Sequence, residues 1–294
     1  MTTSATIRKR QELIDFIELE LRPEPAVQAV IGVGSIANGL ARPDSDIDAI
    51  VFLDPWDAYV TPAEFVWCPA DRSFHSIFSD APGTEAGIQF DFMRFDLKQW
   101  ADPGFTWPEG YCAELRAGWL AFDRCGRAAE LIAARTTYSD ALRIARLDEA
   151  ITFLDQHLAD DGPRARWDSL GFLAAHDRLQ AAYDYLVQAL FAYNRCWRIW
   201  RNREMPALLA LPWLPQDFVH RVAGAWGISS QDYSAYWSRV EVLRSLFQDL
   251  TTRLVQDGLY GENVTSEAFI RGHAEPGRGW NMDEWNERHA GRRK

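Results

Sequence analysis

The sequence has little cysteine, a deficit of positive charge and no long apolar run. Its four cysteines, Cys68, Cys112, Cys125 and Cys196, stand far apart and form no CxxC pair. That spacing argues against a disulfide framework or a zinc–cysteine cluster and fits reduced thiols in a cytoplasmic protein. No stretch reaches the roughly 18 consecutive apolar residues of a membrane span. The opening MTTSATIRKRQELIDFIELEL has no apolar core of signal-peptide type. His75, His157, His176, His220, His273 and His289 are scattered without ligand spacing, so each reads as a surface or packed histidine. There is no internal repeat and no low-complexity segment. Lys and Arg total 31 against 42 Asp and Glu, a net charge of −11. That balance disfavours long nucleic acids as partners and draws cationic small molecules.

What is present is a chain of 294 residues, 47% hydrophobic and 25% charged, with 13 tryptophans. These values suit a soluble globular protein of one large or two ordinary domains. Ile7, Leu13, Ile14, Ile17 and Leu21 recur at helical spacing and predict a helix over 6–21. The run from Ala26 to Val33 reads as a buried strand and DIDAIVFLD, residues 46–54, as a second. Pro62 to Trp67 reads as the start of a helix, Pro82-Gly83 as a turn, and IQFDFMRF, residues 88–95, as a third strand. A short helix over 97–101, a loop over 104–110, a strand near 119–122 and a helix over 126–134 follow. The texture then changes: Ser139 can cap a helix over 140–160, and a long helix runs from about 165 to 201 with Tyr183, Leu186, Leu190, Tyr193 and Trp197 on one stripe. The fold class expected is α+β. A mixed-sheet domain occupies 1–137, a helical-bundle domain that binds substrate occupies 138–262, and a tail occupies 263–294.

The chemistry concentrates in VIGVGSIANGLARPDSDIDAIVFLD, residues 30–54. Asp46 and Asp48 are two apart on a strand, so both side chains point to one face, while Ile47 points to the other. Two such carboxylates repel unless a cation joins them, and Mg²⁺, a hard ion that takes oxygen ligands and substrate phosphates together, is the natural one. Gly34 lets backbone approach a ligand closely, and Ser35 offers a hydroxyl and an N–H to a phosphate oxygen. A two-metal site needs a further carboxylate. Asp91, flanked by Phe90 and Phe92 on a half-buried strand, is the candidate. Asp96 sits where that strand ends and reads as a helix N-cap instead. Arg42 reads as a solvated turn residue, and Asn194 and Arg195 interrupt the apolar stripe of the long helix, on either a ligand-facing or a merely polar face.

The G-S…D-x-D pattern with a later strand aspartate resembles the DNA polymerase β-like nucleotidyltransferase superfamily, and within it small bacterial antibiotic (aminoglycoside-type) nucleotidyltransferases with a C-terminal helical domain. The resemblance rests on residues 30–54 and 88–96, with a looser likeness over 183–200. It implies that Gly34 and Ser35 hold nucleotide phosphates, that Asp46, Asp48 and Asp91 are catalytic and bind metal, and that two Mg²⁺ ions and an NTP, ATP above all, are used. It also implies transfer of a nucleoside monophosphate to a hydroxyl, with pyrophosphate leaving. Some relatives use a separate glutamate as base; Glu109 and Glu114 are available for that role, and no motif selects either. The acceptor expected is a hydroxylated small molecule, an antibiotic among the choices, which would make the protein a resistance enzyme. Two alternatives stay open: a protein or tRNA acceptor, and a non-catalytic nucleotide-binding module.

Overall fold

Thr3 caps the first helix of the computed structural model by accepting from the Thr6 N–H, and α1 (Ser4–Phe16) then runs into a π-helical turn, Ile17–Leu21. The structure describes residues 2–79, 84–227, 230 and 232–292. The Pro82-Gly83 turn lies outside them. The chain divides into two compact units, Met1–Thr137 and Tyr138–Lys294.

In the first unit six strands form one mixed sheet: β1 (Val27–Gly32), β2 (Ile47–Leu53), β3 (Glu64–Cys68), β4 (Ser73–His75), β5 (Ile88–Asp96) and β6 (Trp119–Asp123). Their order is β4-β3-β5-β2-β1-β6. Among the described residues only β2 and β5 run parallel; the other pairs are antiparallel. Strand alternation sorts β2 into two faces. Ile47, Ala49, Val51 and Leu53 pack with Leu13 and Phe16 of α1 in one core. Phe16 sits amid Phe90, Trp67, Phe65 and Phe92, with ring centroids 4.6, 5.1, 5.5 and 5.6 Å away. On the opposite face Phe52 meets Phe95 and Trp100, and the latter two stack at 4.0 Å. Four further short α-helices are described in the unit: α2 (Gly34–Asn38), α3 (Leu97–Ala101), α4 (Glu109–Ala117) and, after β6, α5 (Arg127–Arg135).

Two sequence expectations fail here. Residues 62–67 do not open a helix but lead into β3. Burial at period two overrides the Pro-Ala-Glu helix-start pattern: Phe65 and Trp67 are buried against Phe16 while Glu64 is exposed. The loop expected over 104–110 gives way at Glu109 to α4, whose Cys112 and Leu115 are buried, while the strand expected near 119–122 is β6.

The second unit is helical. Ser139 caps α6 (Asp140–Leu158), accepting from the Leu142 N–H. Next come α7 (Gly162–Tyr193), α8 (Arg201–Leu209), α9 (Phe218–Trp226), α10 (Tyr233–Gln256), α11 (Val264–Gly272) and α12 (Asp283–His289). α7 is not the single rod expected over 165–201. It kinks at Gly171, whose φ of 82° and ψ of 171° leave the helical region, and it stops at Tyr193. The Asn194 side-chain amide explains the stop. It donates to the Leu190 and Trp213 carbonyls at 2.8 and 2.9 Å and accepts from the Trp213 N–H at 2.9 Å. Tyr183, Leu186, Leu190 and Tyr193 line the core as expected, whereas Trp197 lies beyond the helix. The segment read as a tail begins with α11, which buries Val264 and Ala268 and docks on α6 through Arg271 and Asp148. Among the described residues no helix is long and apolar enough to cross a membrane.

Candidate active site

The β1–β2 connection is built to hold one shape. Gly34 has φ +60°, a left-handed conformation that suits glycine. It follows Val33, whose N–H donates to the Asp48 carbonyl at 3.0 Å. That bond fixes the Gly34-Ser35 corner beside the start of β2. α2 continues from the corner for one short turn, and its last carbonyls are taken by α1: the Arg10 guanidinium donates to Ile36 and Ala37 at 2.8 and 3.0 Å. The loop onward to Asp46 is tied to the same helix. Thr6, fully buried, accepts from the Ala41 N–H at 2.9 Å, and Thr3 donates to the Ala41 carbonyl at 2.9 Å. The Ser45 hydroxyl closes the turn by accepting from the Arg42 N–H at 3.0 Å. Arg42 itself is exposed and lies 3.4 Å from Asp44.

Asp46 lies immediately before β2 and Asp48 on it, both half-buried, with Ile47 between them fully buried in the core. Asp91 lies on β5, and the parallel β2–β5 register makes it the direct partner of Asp48. Partners on neighbouring strands project to the same face. The sheet therefore brings together the aspartates named from the sequence: Asp46 just before β2, Asp48 on it, and Asp91 beside Asp48 on β5.

The row does not stop there. Glu64, the first residue of β3, is the antiparallel partner of Asp91, so Asp48, Asp91 and Glu64 cross three adjacent strands on one face. Glu64 is not legible as a site residue in the sequence, because the pattern of residues 62–67 predicts the start of a helix. The available signal was the alternation of Glu64 and Val66 with Phe65 and Trp67. Burial, then the charge of Glu64, then that of Asp46 push the Asp91 carboxyl above its ordinary value. No basic residue offsets them: among the described residues none pairs with Asp46, Glu64 or Asp91. Arg94, in phase with Phe90 and Phe92 on the other face of β5, donates to the Ala58 and Thr61 carbonyls, and Lys98 pairs with Asp54 at 3.0 Å.

Asp96 is the N-cap of α3, accepting from the Lys98 N–H at 2.9 Å. Asn194 is the structural clamp described above, and Arg195 pairs with Asp140. Glu109 and Glu114 sit on α4, with Glu114 buried.

A set of hard oxygen donors crowded by like charge is the donor set a divalent cation accommodates. Among the described residues no three His, Cys, Asp or Glu side chains already form a metal-binding group. The carboxylates stand as a crowded row rather than a closed cage.

Comparison with known proteins bears on the same segment. Residues 13–89 match the family model described as "Nucleotidyltransferase domain". The match takes in Gly34, Ser35, Asp46, Asp48 and Glu64; Asp91 lies just beyond it. No curated protein matches the sequence. Among solved structures, a nucleotidyltransferase-like protein from Exiguobacterium sibiricum aligns over 96% of this chain and 86% of its own, at 12% identity and a TM-score of 0.44.

Proposed function

We propose, from the premise that residues 13–89 form a nucleotidyltransferase domain of the DNA polymerase β-like superfamily, that this protein transfers a nucleoside monophosphate from an NTP to a hydroxyl of a small molecule. The observation that carries the reading is the β2–β5 register. It sets Asp91 beside Asp48, next to a Gly34-Ser35 corner that the Val33–Asp48 bond holds in place.

In this assignment Gly34 and Ser35 grip the phosphates distal to the transferred one, through backbone N–H groups and the hydroxyl. Asp46, Asp48 and Asp91 hold divalent cations, Mg²⁺ being the one that suits carboxylate and phosphate oxygens together. Bound there, the cations neutralise the triphosphate and favour the ionised acceptor hydroxyl. The acceptor oxygen bonds to the α-phosphorus, the bond from that phosphorus to the bridging oxygen breaks, and pyrophosphate leaves with the electron pair. The hydroxyl proton goes to a carboxylate, a role this reading assigns to Asp91. The rigid β1–β2 connection keeps donor and carboxylates in register, which is where such enzymes gain most of their rate.

The net charge of −11 favours a cationic acceptor, such as an amine-bearing antibiotic. The test is a pyrophosphate-release screen of each NTP with Mg²⁺ against antibiotics, tRNA and purified proteins. Turnover with a small hydroxylated compound is the expected result. Turnover only with tRNA or protein would overturn the acceptor assignment, and silence with every acceptor would leave a nucleotide-binding module.

A further inference from the structure

We infer that Thr3 and Thr6, at the N-terminus of α1, are positioning residues for nucleotide binding: they hold the Ala41 peptide, and through it the span between Ser35 and Asp46. The inference rests on the nucleotidyl-transfer reading above and extends it to residues that reading gives no contact with phosphate or cation.

Past Gly39, whose φ of +84° ends α2, the chain has neither helix nor strand from Leu40 to Asp46. Ala41 is the fixed point of that stretch. It is 2% exposed, and α1 takes both its polar backbone groups. Its N–H donates to the Thr6 hydroxyl and its carbonyl accepts from the Thr3 hydroxyl, each at 2.9 Å. The protons sort in one way. A hydroxyl has a single proton, and that of Thr3 goes to the Ala41 carbonyl, so Thr6 is the donor in the 2.8 Å contact between the two hydroxyls. The Thr3 N–H adds a bond to the Gly39 carbonyl at 3.0 Å. Two threonines and one peptide thus close a ring of hydrogen bonds, and loss of either hydroxyl leaves a group of the buried Ala41 peptide without its partner. Arg10, two turns along from Thr3, holds the Ile36 and Ala37 carbonyls and lies over the Trp119 ring at 4.9 Å. One helix therefore grips the connection at two points and fixes the separation between α2 and Ala41. The side chains that the reading assigns to phosphate and cation are left open: among the described residues no hydrogen bond or ion pair engages the Ser35 hydroxyl or the Asp46 carboxylate. Backbone held and side chains uncommitted is the arrangement of a preorganised site, where binding does not have to order the chain.

The experiment is calorimetric titration of the full chain with each NTP and Mg²⁺, without acceptor, below the lowest melting transition of the set. The proteins are wild type, Thr6→Val, Thr6→Ser, Thr3→Val and the control Ile17→Ala. Val keeps the shape of Thr and removes the hydroxyl, whereas Ser keeps the hydroxyl. Ile17→Ala removes core packing beyond the other end of α1 and destabilises the unit without touching the connection. A connection that holds its binding shape about a tenth of the time binds about tenfold more weakly. That loss is expected for Thr6→Val, with wild-type affinity in Thr6→Ser and Ile17→Ala. Thr3 is exposed, so Thr3→Val folds and decides the matter alone should Thr6→Val fail to fold; its expected loss is about threefold. Wild-type affinity in the valine variants overturns the inference and spares the transfer reading. An equal loss in Ile17→Ala does the same, because any destabilisation would then suffice. Failure of the wild type to bind every NTP overturns both.

Discussion

Replacing Asp91 with asparagine should make the metal-free protein more stable while removing its activity. Asp91 faces Glu64 across an antiparallel pair and has Asp48 beside it on the parallel strand. At about 5 Å, a pair of unit charges repels by about 1 kcal/mol at water-like dielectric and about 3 kcal/mol at an effective dielectric of 20. Glu64 is exposed and Asp91 half-buried, so the lower end applies. Asn keeps the size and removes the charge. The expected gain is about 1 kcal/mol, or a melting temperature higher by roughly 2–5 °C for the unit that contains it. The pH dependence has a definite sign. A carboxyl whose folded value is raised is favoured in its protonated form by folding, so its penalty is full at neutral pH and disappears once pH falls below its ordinary value of 3.8. The difference between Asp91→Asn and wild type should therefore shrink towards zero in that range. Divalent cation reverses the order, because mass action stabilises only the protein that binds it. Calorimetry at pH 7 and near pH 3.5, with and without Mn²⁺, checks each arm. A lower melting temperature at pH 7 in metal-free buffer, or turnover at the wild-type rate, would refute the reasoning.

Other perturbations have equally definite outcomes. Asp46→Asn and Asp48→Asn should each lower transfer at least about 100-fold, the scale of lost electrostatic stabilisation, with unchanged circular dichroism; full turnover in either variant removes the assignment. In the helical unit Asp148 is buried and accepts from the Tyr260 hydroxyl at 2.7 Å and from Arg271 Nε and Nη2 at 2.9 Å. Asp148→Ala leaves a buried hydroxyl and a partly exposed guanidinium without that partner, a loss of about 2–4 kcal/mol measured by urea unfolding; under 1 kcal/mol would show that α11 is held to α6 by its apolar face alone. Burial first, then Arg166 and Arg178, lowers His157, and burial, then Arg239, lowers His176. Both favour the neutral form when folded, so stability from this source is kept above the ordinary value of 6.5 and declines as pH falls below it. His157→Gln should flatten that decline in melts between pH 7 and 5.

How much could be read without coordinates depended on whether a segment's local pattern agreed with its tertiary role. β1, β2 and β5 are apolar runs of strand length bounded by turn residues, and they lie within a residue or two of where the pattern put them. Ser139 and Asp96 announce the helices they cap. β3 was hidden because Pro-Ala-Glu is good helix-start chemistry, and only the core around Phe16 shows that Phe65 and Trp67 must share a face. The end of α7 was hidden for the opposite reason. The apolar stripe continues to Trp197, but Asn194 finds carbonyl partners at Leu190 and Trp213, and a contact from Asn194 to residue 213 has no local signature.

The site divides along the same line. Gly34, Ser35, Asp46 and Asp48 are legible because spacing along one strand is local information. Their partnership with Asp91 needs strand order: β2 and β5 are not consecutive, and two strands intervene in sequence but not between them in the sheet. A strand that contributes one carboxylate to a shared face obliges the adjacent strand to supply a neutral or cationic neighbour, unless a bound cation takes that place. Here the neighbour on β3 is Glu64. Strand order therefore places a residue of the same charge where an ordinary sheet would place a compensating one. Under the proposed function, a divalent cation bound at Asp46, Asp48 and Asp91 would relieve that repulsion.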